Sequence, residues 1–172
     1  MIFAYADPPY IGQARKHYGC VEVDHGALIA RLVADYPDGW ALSCSSPTLK
    51  FVLSLCPDDV RVGPWVKPFA SYKPGVNPAF AWEPVIFRGG RPYEREQATV
   101  VDWVSANITL ERGLAGAKPE TFCAWIFRML NLQAGDELHD LFYGTGAVTR
   151  AWESYQRQMR ISDHPASPPE AR

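Results

Sequence analysis

The sequence predicts an α/β protein in which a mostly parallel sheet is layered between helices. Residues 2–55 read as strand, helix, strand, helix, an order that lays successive strands side by side and parallel. A later passage from strand to helix, Glu137 to Met159, turns through Gly144-Thr145-Gly146. Composition agrees with one globular unit: 172 residues, 47% hydrophobic and 21% charged, suffice to enclose a single core. No apolar run approaches the roughly 20 residues of a membrane span and no leader-like segment opens the chain, so the expected setting is the cytoplasm.

The first strand, Ile2 to Tyr5, is rich in β-prone and aromatic residues and stops at Asp7-Pro8-Pro9-Tyr10. Ile11 to Cys20 is a loop. Asp24 is the expected N-cap of a helix from His25 to Tyr36, where Leu28, Ile29, Leu32 and Val33 recur at helical spacing, and Pro37-Asp38-Gly39 ends it. Trp40 to Cys44 is the second strand, and Pro47 opens a short helix from Thr48 to Leu55. Residues 60–66 and 82–88 read as strands that pair in hairpin fashion at the end of the sheet, with a long Pro- and Gly-rich loop, Phe69 to Ala81, between them. Val100 to Val104 reads equally as a short strand or a helical turn, and residues 107–116 show no regular period.

Lys118-Pro119-Glu120 starts a helix whose buried stripe is Phe122, Trp125, Ile126, Met129 and Leu130. Glu137 to Phe142 is a strand and Ala147 to Met159 a helix. The domain is bounded at residues 1–161. Ser162 to Arg172, with three prolines and little to pack, reads as a disordered tail.

The most chemically informative stretch is the end of the first strand. Each proline fixes its own φ and lacks an N–H, so Asp7-Pro8-Pro9-Tyr10 is a stiff turn holding a carboxylate, outward carbonyls and an aromatic ring together. Such a site has acceptors and a stacking surface but no nucleophile, which suits a planar substrate carrying an amino group; the same tetrapeptide also serves as an ordinary strand-ending turn. A strand, a Gly-x-Gly turn and a helix, as at residues 137–159, is the layout of a nucleotide site, because glycine lets the backbone approach a ligand at the strand's C-terminal end.

Cys20, Cys44, Cys56 and Cys123 form no Cys-x-x-Cys pair and read as reduced thiols. His17, His25, His139 and His164 are not at ligand spacing, so no metal is expected. A net charge of −2 argues against a dedicated duplex-DNA binder. Candidates for phosphate contact are Arg15 and Lys16 in the first loop and the basic residues of 61–95. Among the latter, Lys67, Lys73 and Arg88 interleave with Trp65, Phe69, Tyr72, Phe80 and Trp82, a mixture that suits a flipped or single-stranded base. Solvated loop charges and core aromatics are the alternative reading.

Taken together, Asp7-Pro8-Pro9-Tyr10, the Lys118-Pro119-Glu120 helix start and the run Asp140 to Gly146 (Asp-Leu-Phe-Tyr-Gly-Thr-Gly) resemble the catalytic, cofactor-supporting and cofactor-binding motifs of S-adenosylmethionine-dependent DNA amino methyltransferases, which methylate adenine N6 or cytosine N4. The catalytic motif comes first, as in that family's permuted class. The segments Trp40–Ser46, Trp65–Lys67 and Trp82–Pro84 are similar to small phage or actinobacterial methylase-like proteins, and the likeness runs from about residue 2 to 155.

The resemblance implies a compact, permuted, Rossmann-like three-layer fold with S-adenosylmethionine as cofactor and DNA, through a flipped or single-stranded base, as partner. It implies that Asp7 and the Pro8 carbonyl hold the amino group in a turn stiffened by Pro9, that Tyr10 stacks on the base, and that adenine N6 is favoured. It places Asp140 near the cofactor's amino group, the helix start at Lys118, Pro119 and Thr121 near its carboxylate, Phe142 or Tyr143 beside its adenosine or methionine moiety, and Gly144 and Gly146 against it. In the family a further strand supplies an acid for the ribose hydroxyls; here residues 152–160 lead only to Ile161-Ser162-Asp163 and the tail. There is also no separate target-recognition domain, so specificity falls to residues 67–81, residues 91–116, a homodimer mate or a separate partner. A non-catalytic partner subunit, or the same chemistry on RNA, are the alternatives.

Overall fold

A computed structural model of the protein describes residues 1–14, 21–69, 74–108 and 117–163. Six strands, β1 (Ile2–Ala6), β2 (Gly39–Ser43), β3 (Arg61–Val66), β4 (Trp82–Gly89), β5 (Val104–Ser105) and β6 (Glu137–Asp140), form one sheet in the order β5-β3-β4-β2-β1-β6. The helices are α1 (His25–Asp35), α2 (Leu49–Leu53, preceded by a 3₁₀ turn at Ser46–Thr48), α3 (Glu120–Met129) and α4 (Ala147–Asp163). β1 runs parallel to β2 and β6, and β3 parallel to β5; only β4 is antiparallel to its neighbours. The mostly parallel sheet is thus as expected.

The three layers follow from period-two alternation along buried strands. In β1, Phe3 and Tyr5 point to one core, with Phe122, Trp125, Ile126 and Phe127 of α3 and Val148 and Trp152 of α4. Ala4 and Ala6 point to the other, with Leu28, Ile29 and Leu32 of α1 and Val52 of α2. β1 is therefore apolar on both faces, with Phe3 to Ala6 at most 1% exposed. Asp24 caps α1 as predicted, its Oδ1 accepting the Ala27 N–H at 2.9 Å. No described helix is long and apolar enough to cross a membrane.

Several boundaries differ from the sequence reading. The pair β3–β4 does not end the sheet, because residues 104–105 add β5 outside β3. Gly63 permits this: a Cβ there would stand 2.3 Å from the Asp102 carbonyl and 2.9 Å from the Trp125 ring, so only glycine lets the strand pass under residue 102. β6 stops at Asp140, two residues short of Phe142, where the chain breaks away toward the glycine turn. α4 continues past Met159 to Asp163, so the first two residues read as tail are helical; residues 164–172 lie outside the described residues.

Candidate active site

β1 is a switch point in the topology. The chain leaves it through α1 to β2 on one side, while β6, its other neighbour, is reached much later through α3 on the opposite face. In open α/β sheets the crevice outside the C-terminal ends of such strands is where ligands bind. Asp7 follows β1 and Asp140 ends β6, so two carboxylates border that crevice.

Asp7 lies in a compact charge network. Its Oδ1 is 3.0 Å from Nζ of Lys118, just before α3, and the Lys118 side chain is only 8% exposed. The same ammonium is 3.6 Å from Oε2 of Glu83 on β4. Glu83 Oε1 pairs with Lys67, which follows β3, and Oε2 accepts the Tyr10 hydroxyl at 2.9 Å. Both ammonium groups also sit over the Trp65 ring, Lys67 at 4.5 Å and Lys118 at 5.2 Å from its centroid. Two carboxylates and two ammonium groups thus balance one another where water is scarce, the condition under which buried charges are tolerated.

These surroundings shift the groups. Burial pushes the Asp7 carboxyl above its ordinary value, although the Lys118 ammonium pulls it back. Glu83 is also penalised by burial, but Lys118 and Lys67 together hold it below the usual carboxylate range. Burial works against the Lys118 charge, yet Asp7 and Glu83 raise its pKa above that of a free lysine. Burial and the negative charges of Asp7 and Glu83 keep the Tyr10 phenol protonated well beyond its ordinary range.

Two concavities meet at Asp7 and Lys118. One is a cavity of about 420 Å³ walled by the Asp7–Tyr10 turn, residues 45–48, Phe80, Trp82 and Glu83. That volume falls within the roughly 300–1,000 Å³ of small-molecule sites. The other is a narrow crevice of about 30 Å³ formed by Tyr5, Asp140 and the glycine turn from Phe142 to Val148. Gly144 and Gly146 both adopt left-handed φ, +48° and +72°, and a Cβ on Gly146 would stand 2.6 Å from the Tyr143 ring. Asp140 Oδ2 accepts the Thr149 hydroxyl at 3.4 Å, whereas Oδ1 is buried with no hydrogen-bond partner. Burial, with the charge of Asp7 adding to it, pushes the Asp140 carboxyl up.

Of the residues singled out in the sequence, Asp7, Pro8, Tyr10, Lys118, Asp140, Phe142, Tyr143, Gly144 and Gly146 converge on or around these two spaces. Pro9 stiffens the turn without lining either. Lys118 stands on Asp7, while Pro119 is the N-cap of α3 and Thr121 is exposed on its first turn.

Two phosphate candidates stand in ion pairs. Lys67 is engaged by Glu83 instead of facing solvent. Arg88 sits near the far end of β4 from Glu83 and binds Asp59 at 2.7 Å. Arg15, Lys16 and Lys73 lie outside the described residues, as do His17, Tyr72 and 109–116. Glu83 and the Ser45–Thr48 wall were missed as site residues. The available signal for Glu83 was a lone acid, between Trp82 and Pro84, entering a strand that is otherwise apolar up to Arg88.

No protein-family model and no curated protein matches the chain. Solved structures do match in architecture, and the three-layer α/β arrangement they share is the one expected from the sequence. One is the crystal structure of M1.HpyAVI, with 11% identity over 96% of this chain and 88% of that one, at a TM-score of 0.58. Another is the M1.HpyAVI–SAM complex, with 14% identity over 95% and 88% and a TM-score of 0.55.

Proposed function

We propose that the protein transfers a methyl group from S-adenosylmethionine to an exocyclic amino group of DNA, adenine N6 in the first instance. The observation that carries this reading is the shared wall: Asp7 and Lys118 border both a cavity of substrate size and the crevice of the glycine turn. The motif resemblance supports it, as does the fold shared with a protein solved as a SAM complex.

The crevice residues fit the amino-acid end of that cofactor. Asp140 Oδ1, buried and unpartnered, is an acceptor suited to an ammonium group. Gly144 and Gly146 keep side chains away from the approach, and the start of α3, which has no side-chain cap, favours a carboxylate. Bound there, S-adenosylmethionine supplies an electrophilic methyl group on a positively charged sulfur.

The chain's own residues then act on the substrate amine, a poor nucleophile because its lone pair is delocalised into the ring. Asp7 and the Pro8 carbonyl accept its two N–H bonds and favour a pyramidal nitrogen. Tyr10, its hydroxyl anchored on Glu83, offers its ring to the base. Positive charge developing on the nitrogen as it takes up the methyl would lie beside the Asp7 carboxylate. That carboxylate, whose proton affinity burial has raised, takes the surplus proton and releases it to solvent through the open cavity.

One observation favours a second reading, a nucleic-acid- or cofactor-binding subunit without transfer activity. Among the described residues β6 is an edge strand, so no neighbouring strand supplies an acid for the ribose. Labelled methyl transfer to unmethylated DNA separates the two. Wild type is expected to transfer label and Asp7→Ala to lose it by about 10²–10³-fold, and digestion to nucleosides separates N6 from N4. Cofactor binding by calorimetry without transfer to DNA or RNA would overturn the enzyme reading in favour of the subunit.

A further inference from the structure

Resting on the methyltransferase reading above, we propose that a second groove beside the target cavity is a stacking subsite for the nucleotide next to the target base, and that the substrate is accordingly an unpaired DNA strand. The groove, about 160 Å³, is lined by Phe69, Val76, Phe80, Trp82 and Ile108 with Lys67 and Glu83 at its edge. It shares Phe80, Trp82 and Glu83 with the 420 Å³ cavity, so the two are adjoining compartments with a common aromatic wall.

The aromatic side chains here are not core. Phe69 is 69% exposed, Phe80 52% and Trp82 39%. Large apolar side chains gathered at the mouth of a site mark a surface that something else covers. The charges say what that is. Among the described residues, the cations lining either compartment are Lys67 and Lys118, and both are balanced by Glu83 and Asp7. With the chain's net charge of −2, this mouth offers, among the described residues, π faces without free positive charge. Duplex binding draws mainly on cations against phosphate, whereas an unpaired strand gains from base–aromatic stacking, for which every base has a face. An unpaired target base also enters the cavity without the cost of leaving a duplex stack.

The test is fluorescence anisotropy with a fluorescein-labelled 12-nucleotide DNA strand and the same strand annealed to its complement. The single strand is expected to bind at least tenfold tighter than the duplex. Phe80→Ala and Trp82→Ala are each expected to weaken single-strand binding by about 5- to 150-fold, the range of one lost stacking contact. Trp82→Phe, which keeps a stacking face, stays near wild type. Equal or tighter duplex binding, or truncations that change affinity less than twofold, would overturn the subsite. Methyl transfer measured alongside separates the two readings. Strand binding through Phe80 and Trp82 without transfer leaves the subsite standing and removes the transferase; transfer on duplex DNA that ignores both truncations does the reverse.

Discussion

Replacing Lys118 by methionine removes one charge from the network and little volume. The stem packs near Trp65 and Phe122, whose ring centroids lie 5.2 and 5.7 Å from Nζ, and methionine refills most of that space. What is lost is the ammonium 3.0 Å from Asp7 and 3.6 Å from Glu83, leaving two carboxylates to share Lys67. Breaking a buried pair from one side costs about 3–5 kcal/mol. Asp7 keeps a quarter of its side chain exposed, so water offsets part of this and the low end applies. At about 2–4 °C per kcal/mol for a chain of this size, the melting temperature falls by ~6–12 °C.

The sign with pH is also set. Lys118 lowers the pKa of both Asp7 and Glu83, so without it both rise, and their ionisation becomes the source of the instability. The deficit is therefore largest above the carboxylate range and shrinks as pH falls and the two groups take up protons. In wild type the contribution of Lys118, whose pKa is raised by Asp7 and Glu83, is complete from above the carboxylate range up to pH 10.5 and lost as pH climbs through its folded value. The assay is thermal denaturation by circular dichroism at pH 7.5 and pH 4.5. A fall below ~2 °C at pH 7.5, or the same fall at both, would refute the reasoning. Adding Asp7→Asn to Lys118→Met is expected to recover part of the loss by removing the charge left stranded.

Two further outcomes follow from the geometry. Asp140→Asn is expected to weaken S-adenosylmethionine binding by about 10- to 100-fold in calorimetry, the value of a charge-assisted hydrogen bond; melting temperature should change little, because the amide keeps an acceptor for the Thr149 hydroxyl. Gly63→Ala drives a methyl into the Asp102 carbonyl and the Trp125 ring and is expected to cost about 1–3 kcal/mol in urea unfolding, with the loss felt where β5 joins β3.

Local order was legible in the chain. Helical spacing at Leu28, Ile29 and Leu32, the Asp24 cap, and the β-prone run before Asp7 each report on neighbours a few residues away, which is the range over which backbone sterics and periodicity act. The stiff Asp7–Tyr10 turn and the two left-handed glycines of the second turn belong to the same class, since proline and glycine carry their conformational preferences wherever they stand. What the chain alone did not reveal is which charges would meet. Tyr10 reaches Glu83 and Lys118 reaches Asp7 only because β4 inserts beside β2 and α3 returns over β1. Lys67 and Arg88 look alike in sequence, yet one is spent inside the site and the other binds Asp59 away from it. Sequence determined the pieces and their local shapes. The strand order decided their partners, because a salt bridge depends on distance through space and the chain lists only distance along itself.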